Sequence, residues 1–193
     1  LLDSRIGLQH FEGDLHIFTV TIGPIHEGIE LHAQYESGSL PLAVGTTVAR
    51  WPVTYLPPIA GVDRGQVSIG NGRIEIEVAP LRGLGLGSLF MYYLITWIQT
   101  QPNVPVDPIL LSIEDARTPA ERDRRNRFYE RLGFRFAYQG DREWGDSLPL
   151  ESRELVAPEP SPKTGWTFAG ALRVRTLQDA AHDQVSTSGT PAK

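Results

Sequence analysis

The run Arg73-Ile74-Glu75-Ile76-Glu77-Val78-Ala79, carried through Pro80 and Leu81 into Arg82-Gly83-Leu84-Gly85-Leu86-Gly87, decides how this chain reads. Ile74, Ile76 and Val78 alternate with Glu75 and Glu77, so residues 73–79 are expected to form a strand with one apolar face. Beyond the glycines, Leu86, Leu89 or Phe90, Tyr93 and Trp97 recur at three- and four-residue spacing. That stripe predicts a helix packed on a sheet and running to about Thr100, before Pro102. Gly83, Gly85 and Gly87 carry nothing that would crowd the backbone. The unpaired N–H groups and positive dipole end of the helix then converge where a phosphate or pyrophosphate could approach. Arg82 could add a bidentate contact. The competing reading is a glycine-rich turn that lets a helix lie close to a sheet. Ser88 follows Gly87 with no lysine, which excludes a Walker loop, and the single-residue spacing of the glycines departs from the dinucleotide fingerprint.

Upstream, Asp14 to Thr21 and Gly28 to Tyr35 read as strands, and short strands fit around Val44 to Arg50. Pro41, Pro52, Pro57 and Pro58 exclude a long helix between Glu36 and Val67. Gln66 to Ile69, then Gly70-Asn71-Gly72, then Arg73 to Ala79 suggest a hairpin leading into the glycine loop.

Downstream, Ile109 to Ile113 is a short apolar strand. Thr118-Pro119-Ala120-Glu121 supplies an N-cap, a proline at the first helical position and a capping-box glutamate, so a helix should start there. It should run through Arg131 and stop near Gly133, before a strand over Phe134 to Tyr138. Residues 140–164, rich in Pro, Asp, Glu and Ser, read as an excursion or arm; Trp166 to Val174 fits a further strand; residues 180–193 read as a disordered tail. Residues 1–179 are thus expected to form one domain.

The chain has 193 residues, 40% of them hydrophobic, and a formal charge of −5, which gives no global attraction to nucleic acid or anionic lipid. The lack of cysteine excludes disulfides, a catalytic thiolate and cysteine-ligated metal. No basic segment leads into an apolar run and no 18-residue apolar stretch occurs, so a cytoplasmic protein without a membrane span is expected. His10, His16, His26, His32 and His182 form no metal-binding motif, and Ser88 and Ser112 lack a nucleophile-elbow setting. Residues 117–131 hold six arginines and three acids, a local excess of +3. Those arginines could meet a phosphate, an acidic protein or RNA, or pair with Glu121, Asp123 and Glu130 on a solvated helix. No aromatic interleaving supports RNA binding.

Strand, glycine loop, helix, strand, capped helix and Asn126-Arg127-Phe128-Tyr129-Glu130-Arg131-Leu132-Gly133-Phe134 together resemble the GCN5-related N-acetyltransferase (GNAT) superfamily. The acyl-CoA loop of that family has the form Q/R-x-x-G-x-G/A, matched by Arg82, Gly85 and Gly87; its Phe-Tyr-x-x-x-Gly-Phe ending is matched by Phe128, Tyr129, Gly133 and Phe134. The resemblance covers about Arg73 to Tyr138. It departs upstream, where Gly23 to Val67 offers little of the family's helical pattern, and in the later helix, where Arg122 and Arg125 replace the usual asparagine and alanine.

The resemblance implies an α/β fold: a GNAT-like mixed, mostly antiparallel central sheet flanked by helices, with splayed central strands. It implies transfer of an acetyl group from acetyl-CoA to an amine acceptor, a small molecule or a peptide or protein amine, by direct attack. The strand holding Glu75 and Glu77 would part from Ile109 to Ile113 to admit the pantetheine arm. Backbone amides of Leu84, Gly85, Leu86, Gly87 and Ser88 would bind pyrophosphate beside Arg82 and Gly83, and an N–H near Val78 or Ala79 would hold the thioester carbonyl. Arg122, Arg124 or Arg125 would reach the ribose phosphate. Tyr129 would protonate the leaving thiolate, against the alternative of a core tyrosine. Glu75, Glu77 or Glu114 would take the amine proton, with Glu77 preferred for its proximity to the loop.

Two other readings stand beside this one. The chain could be an inactive acyl-CoA-binding or protein-interaction module, or an acetyltransferase acting on aminoacyl-tRNA, which the net acidity disfavours. The C-terminal strand would either complete the sheet of a homodimer or cover its own domain.

Overall fold

Strict alternation of side chains builds the first third of the chain into a meander of long antiparallel strands. The computed structural model describes residues 2–9, 15–70, 74–83, 85–158 and 166–167. Strands β1 (Leu2–Gln9), β2 (Leu15–Ile25), β3 (Gly28–Ser37), β4 (Thr47–Leu56) and β5 (Gln66–Ile69) follow one another, and β9 (Trp166–Thr167) lies against β1, in the order β5-β4-β3-β2-β1-β9. In β3, Ile29, Leu31, Ala33 and Tyr35 are buried while the residues between them face outward, the burial pattern of a sheet with one covered face. The strand around Val44 to Arg50 is therefore longer than its prolines suggest. Pro52 is accommodated because the β5 ladder begins only at Val53, leaving the adjacent edge of β4 without strand pairing there.

Helix α1 (Leu86–Gln99) closes the covered face. Its buried residues are Leu86, Leu89, Phe90, Met91, Leu94, Ile95 and Ile98, and Phe90 meets Trp51 of β4 edge to face at 5.4 Å. Tyr93 and Trp97, read as part of the stripe, stand half-buried at its margin; burial, with Tyr92 beside it, raises the Tyr93 hydroxyl above the ordinary tyrosine pKa. Full burial of each large apolar side chain contributes roughly 1.5–3 kcal/mol, so this face anchors the molecule.

A second antiparallel sheet is made by β6 (Leu110–Leu111), β7 (Phe136–Gln139) and β8 (Trp144–Ser147), in the order β6-β8-β7. Helix α2 (Pro119–Arg131) runs between β6 and β7. One hydrophobic cluster draws on both sheets and α1: Leu111, Phe134, Leu150 and Leu155 belong to it together with Phe18, Trp51 and Phe90. The chain is thus a mixed α/β fold of two antiparallel sheets flanked by two helices.

The stretch read as an excursion or arm contains β8, and beyond it Leu150, Ser152 and Leu155 are buried. Its polar composition satisfies backbone instead of extending into solvent: Ser152 accepts from the Val104 N–H at 3.1 Å, and the Val106 N–H donates to Leu150 at 2.8 Å. Residues 159–165, the rest of the expected C-terminal strand and the tail 180–193 lie outside the described residues.

The expected strand over 73–79 is not formed: residues 74–76 belong to no regular element, 77–78 make a bend and 79–81 a 3-10 turn. Backbone accounting gives the reason. The Glu75 carbonyl accepts from the Trp51 indole N–H at 2.9 Å and the Ile76 carbonyl from Arg82 Nε at 2.8 Å, so side chains take the partners a ladder would need. Nor do 66–69 and 74–78 pair as a hairpin. Ile69 stands opposite Val53, and the Glu77 N–H reaches the Val48 carbonyl at 2.8 Å, so both segments lie along β4.

Candidate functional site

The chain turns into α1 by using two glycines where side chains are not tolerated. Gly83 and Gly85 have φ of +84° and +88°, a left-handed region that costs a residue with a β-carbon about 1–2 kcal/mol. Gly85 is the N-cap; it offers no side-chain acceptor, and no acid stands in the first turn. The N–H groups of Leu86, Gly87 and Ser88 therefore lack a side-chain cap, and the positive end of the helix dipole is uncompensated. At Gly87 a β-carbon would stand 3.4 Å from the Phe128 ring and 3.6 Å from Trp51, ordinary contact distances that place the start of α1 beside both α2 and β4. Leu84 lies outside the described residues.

Helix α2 begins in the opposite manner. Thr118 accepts from the Glu121 N–H at 3.2 Å, and the Glu121 carboxylate accepts from the Thr118 N–H at 3.0 Å. The Thr118 N–H and then its hydroxyl, both donating to that carboxylate, with Arg124 contributing less, hold the Glu121 carboxyl below the usual carboxylate range. Within the helix only Asn126 is buried; its amide donates to the Arg142 carbonyl at 2.9 Å and its oxygen accepts from Arg125 Nε at 3.0 Å.

The arginines expected at the ligand are mostly engaged elsewhere. Arg82 pairs with the Glu75 carboxylate as well as the Ile76 carbonyl. Arg122 pairs with Asp141 and Glu143, each at 3.1 Å, and Arg125 donates to the carbonyls of Ser112 and Glu143. Both thereby tie α2 to the turn between β7 and β8, and Arg125 ties it also to the residue after β6. Arg124 differs. Among the described residues it makes no hydrogen bond or salt bridge, and its guanidinium Nη1 lies 3.8 Å from where a β-carbon on Gly83 would be. Helical phase separates it from the other two candidates: Phe128 packs beside Gly87, and Arg124 stands one turn earlier on the same face.

Tyr129 is half-buried among aromatic rings, edge to face with Phe128 at 5.2 Å and Phe134 at 6.0 Å, and 6.0 Å from Phe136. Glu77 is exposed and uses its backbone N–H on Val48; Glu114 is exposed in the 3-10 turn after β6. Val78 and Ala79 offer their carbonyls to Leu81 and Arg82, at 2.9 and 3.0 Å. No acceptor for their own N–H groups is found among the described residues.

The two sheets touch where β5 meets the chain that leads into β6. Val67 of β5 forms a parallel bridge with Val106: the Val67 N–H donates to Pro105 at 2.9 Å and the Asp107 N–H to Val67 at 2.8 Å. Beyond this point the chain after β5 stays with β4, whereas 110–111 joins β8 in the other sheet. The segments expected to flank the gap, 73–79 and 109–113, are continuations of this fork and not its origin. Pro105 and Pro108 mask the strand character of 104–107 in the sequence. Through Gly87, the start of α1 touches β4 on one side of the gap and α2 on the other, and Arg125 links α2 to the end of β6.

Of the five histidines, His10 and His182 lie outside the described residues, and among those described no three His, Cys, Asp or Glu side chains converge to hold a metal ion. No helix among the described residues is long and apolar enough to cross a membrane. The fold is mixed α/β, and its helix α1 starts without a side-chain cap between β4 and α2. Comparisons with protein-family models, curated proteins and solved structures find no match to this chain.

Proposed function

We propose that this protein is an acetyl-CoA-dependent N-acetyltransferase of GNAT type, transferring acetyl to an amine by direct attack. The observation that carries the reading is the divergence of the two sheets beyond the bridge between Val67 and Val106, with the uncapped start of α1 seated between β4 and α2. Strand order adds support: an antiparallel meander ends at β5, β6 continues from a parallel contact with it, and the final two strands exchange places to give β6-β8-β7.

The donor set suits a diphosphate. The amides of Leu86, Gly87 and Ser88 present N–H groups without side-chain caps, and a negative charge there would offset the dipole. When bound, acetyl-CoA supplies an activated acyl group and a thiolate leaving group. The chain supplies the rest. The N–H groups of Val78 and Ala79 are available to stabilise an oxyanion. Tyr129, its ring held by Phe128 and Phe134, donates its hydroxyl proton to the departing sulfur. Glu77 receives the amine proton, because the Glu75 carboxylate is engaged by Arg82.

Titration of the labelled protein with CoA tests the binding half: amide resonances of residues 83–88 should shift. Unperturbed resonances at saturating CoA in a folded sample would sink the reading. An acetyl-transfer assay over small amines and peptides tests the chemistry. Tyr129→Phe keeps the ring contacts and removes only the hydroxyl, so turnover should fall at saturating acetyl-CoA; binding without transfer by the parent chain would identify an acyl-CoA-binding module instead.

A further inference from the structure

We propose that the outward face of the small sheet β6-β8-β7 is the surface on which two copies of this chain pair. The pairing does not depend on acyl transfer, and its surface is not the C-terminal strand.

The two faces of this sheet are unlike. On the inner one Leu111, Gly145 and Ser147 are buried, and Phe136 meets Tyr129 of α2 with ring centroids 6.0 Å apart. Successive residues of a strand point to opposite faces, and residues paired across an antiparallel ladder share one. The register therefore puts Leu110, Trp144 and Asp146 together on the outer face. Leu148 and Arg135 extend the rows of β8 and β7 by one step, joined by the bond from the Leu148 N–H to the Arg135 carbonyl at 2.7 Å. All five are exposed, Leu110 by 65%. Leu110 stands directly opposite Asp146, about 5 Å away in such a ladder, and diagonal to Trp144 and Leu148 at about 7–8 Å. Three large apolar side chains thus surround one carboxylate on a surface that neither helix covers, since α2 lies on the other face and α1 on the large sheet.

The charges name the occupant. Neither Asp146 nor Arg135 has a side-chain hydrogen bond or ion pair with another described residue. Opposite charges left over on one apolar patch suit a two-fold interface, where Arg135 of each copy meets Asp146 of the other and the contact is made twice. A partner of one charge sign would leave one of the two unmatched. The smallest interfaces that hold two proteins stably bury about 1,200 Å² in total. A face of three short strands is of that order, so pairing is expected at micromolar protein.

Sedimentation of the full chain over a dilution series tests this. The parent should run as a dimer in the micromolar range and dissociate on dilution. Leu110→Lys sets a charge among the apolar side chains and should weaken dimerisation about tenfold, with secondary structure unchanged by circular dichroism because Leu110 is exposed within one chain. Val62→Lys, at an exposed aliphatic side chain on the β4–β5 loop, should leave dimerisation as it is. Asp146→Arg and Arg135→Glu should each weaken it about tenfold, and the two combined in one chain should restore it, which a folding defect cannot imitate. A parent monomeric at every concentration overturns the proposal, as does a Leu110→Lys chain as dimeric as the parent, or an equal loss in Val62→Lys. A doubly reversed chain no tighter than its single variants overturns the pairing of Arg135 with Asp146.

Discussion

The two helices of this protein are held by opposite means. Helix α1 buries seven side chains against the large sheet and starts without a cap; α2 buries only Asn126 and starts with a complete capping box. One is fastened by the hydrophobic effect and leaves its first N–H groups unspent, whereas the other is fastened by hydrogen bonds and ion pairs that use its polar groups up. A helix anchored along its length can keep its start available to a ligand. A helix anchored at its start cannot.

The contrast predicts where stability resides. Phe90→Ala removes a fully buried ring from the α1 face and its edge-to-face partner at Trp51, and should lower the unfolding free energy by about 3–5 kcal/mol, read by urea denaturation. Asn126→Ala, the corresponding lesion in α2, leaves the Arg142 carbonyl and Arg125 without their partner and should cost about 1–3 kcal/mol. A larger loss from Asn126→Ala than from Phe90→Ala would reverse the assignment of the two anchors.

The glycines sharpen the comparison further. Gly133 ends α2 at φ +99°, and a β-carbon there would lie 2.7 Å from the Glu154 carbonyl oxygen. Gly133→Ala should therefore destabilise by about 1–3 kcal/mol. Gly87→Ala meets only ordinary contacts and gains helix propensity, so its melting temperature should stay level or rise, by no more than about 1 kcal/mol of stability. If the start of α1 serves an acyl carrier, the same substitution should weaken CoA binding.

The smallest effect concerns the cap of α2. Hydrogen bonds from Thr118 lower the Glu121 pKa in the folded protein, so the ionised carboxylate stabilises the fold above the unfolded-state pKa. That contribution is lost as pH falls through the lowered folded-state value. Glu121→Gln should thus melt below the parent at neutral pH, with the gap closing in acid; a gap constant from pH 7 to pH 3 would contradict the capping box as the source.

The capping box of α2 was legible because Thr118, Pro119 and Glu121 act within one turn, and local chemistry there agrees with the final fold. The two helix spans were legible for the same reason. Residues 73–79 misled because alternation reports which faces are apolar, not which partner the backbone finds; Trp51 and Arg82, distant and near in sequence, took the carbonyls. Within the candidate site, Gly83, Gly85 and the open start of α1 could be read, but not that Arg82, Arg122 and Arg125 would engage neighbouring acids and carbonyls.

Sequence alone determined the helices, their ends and the glycine-borne turn, since these depend on neighbours within a few residues. Only the tertiary structure decided where the sheets part, that Val67 meets Val106, and that Arg82, Arg122 and Arg125 are spent internally. Those outcomes depend on competition among groups far apart in the chain for the same donors and acceptors, and that competition is settled only when the whole chain has packed.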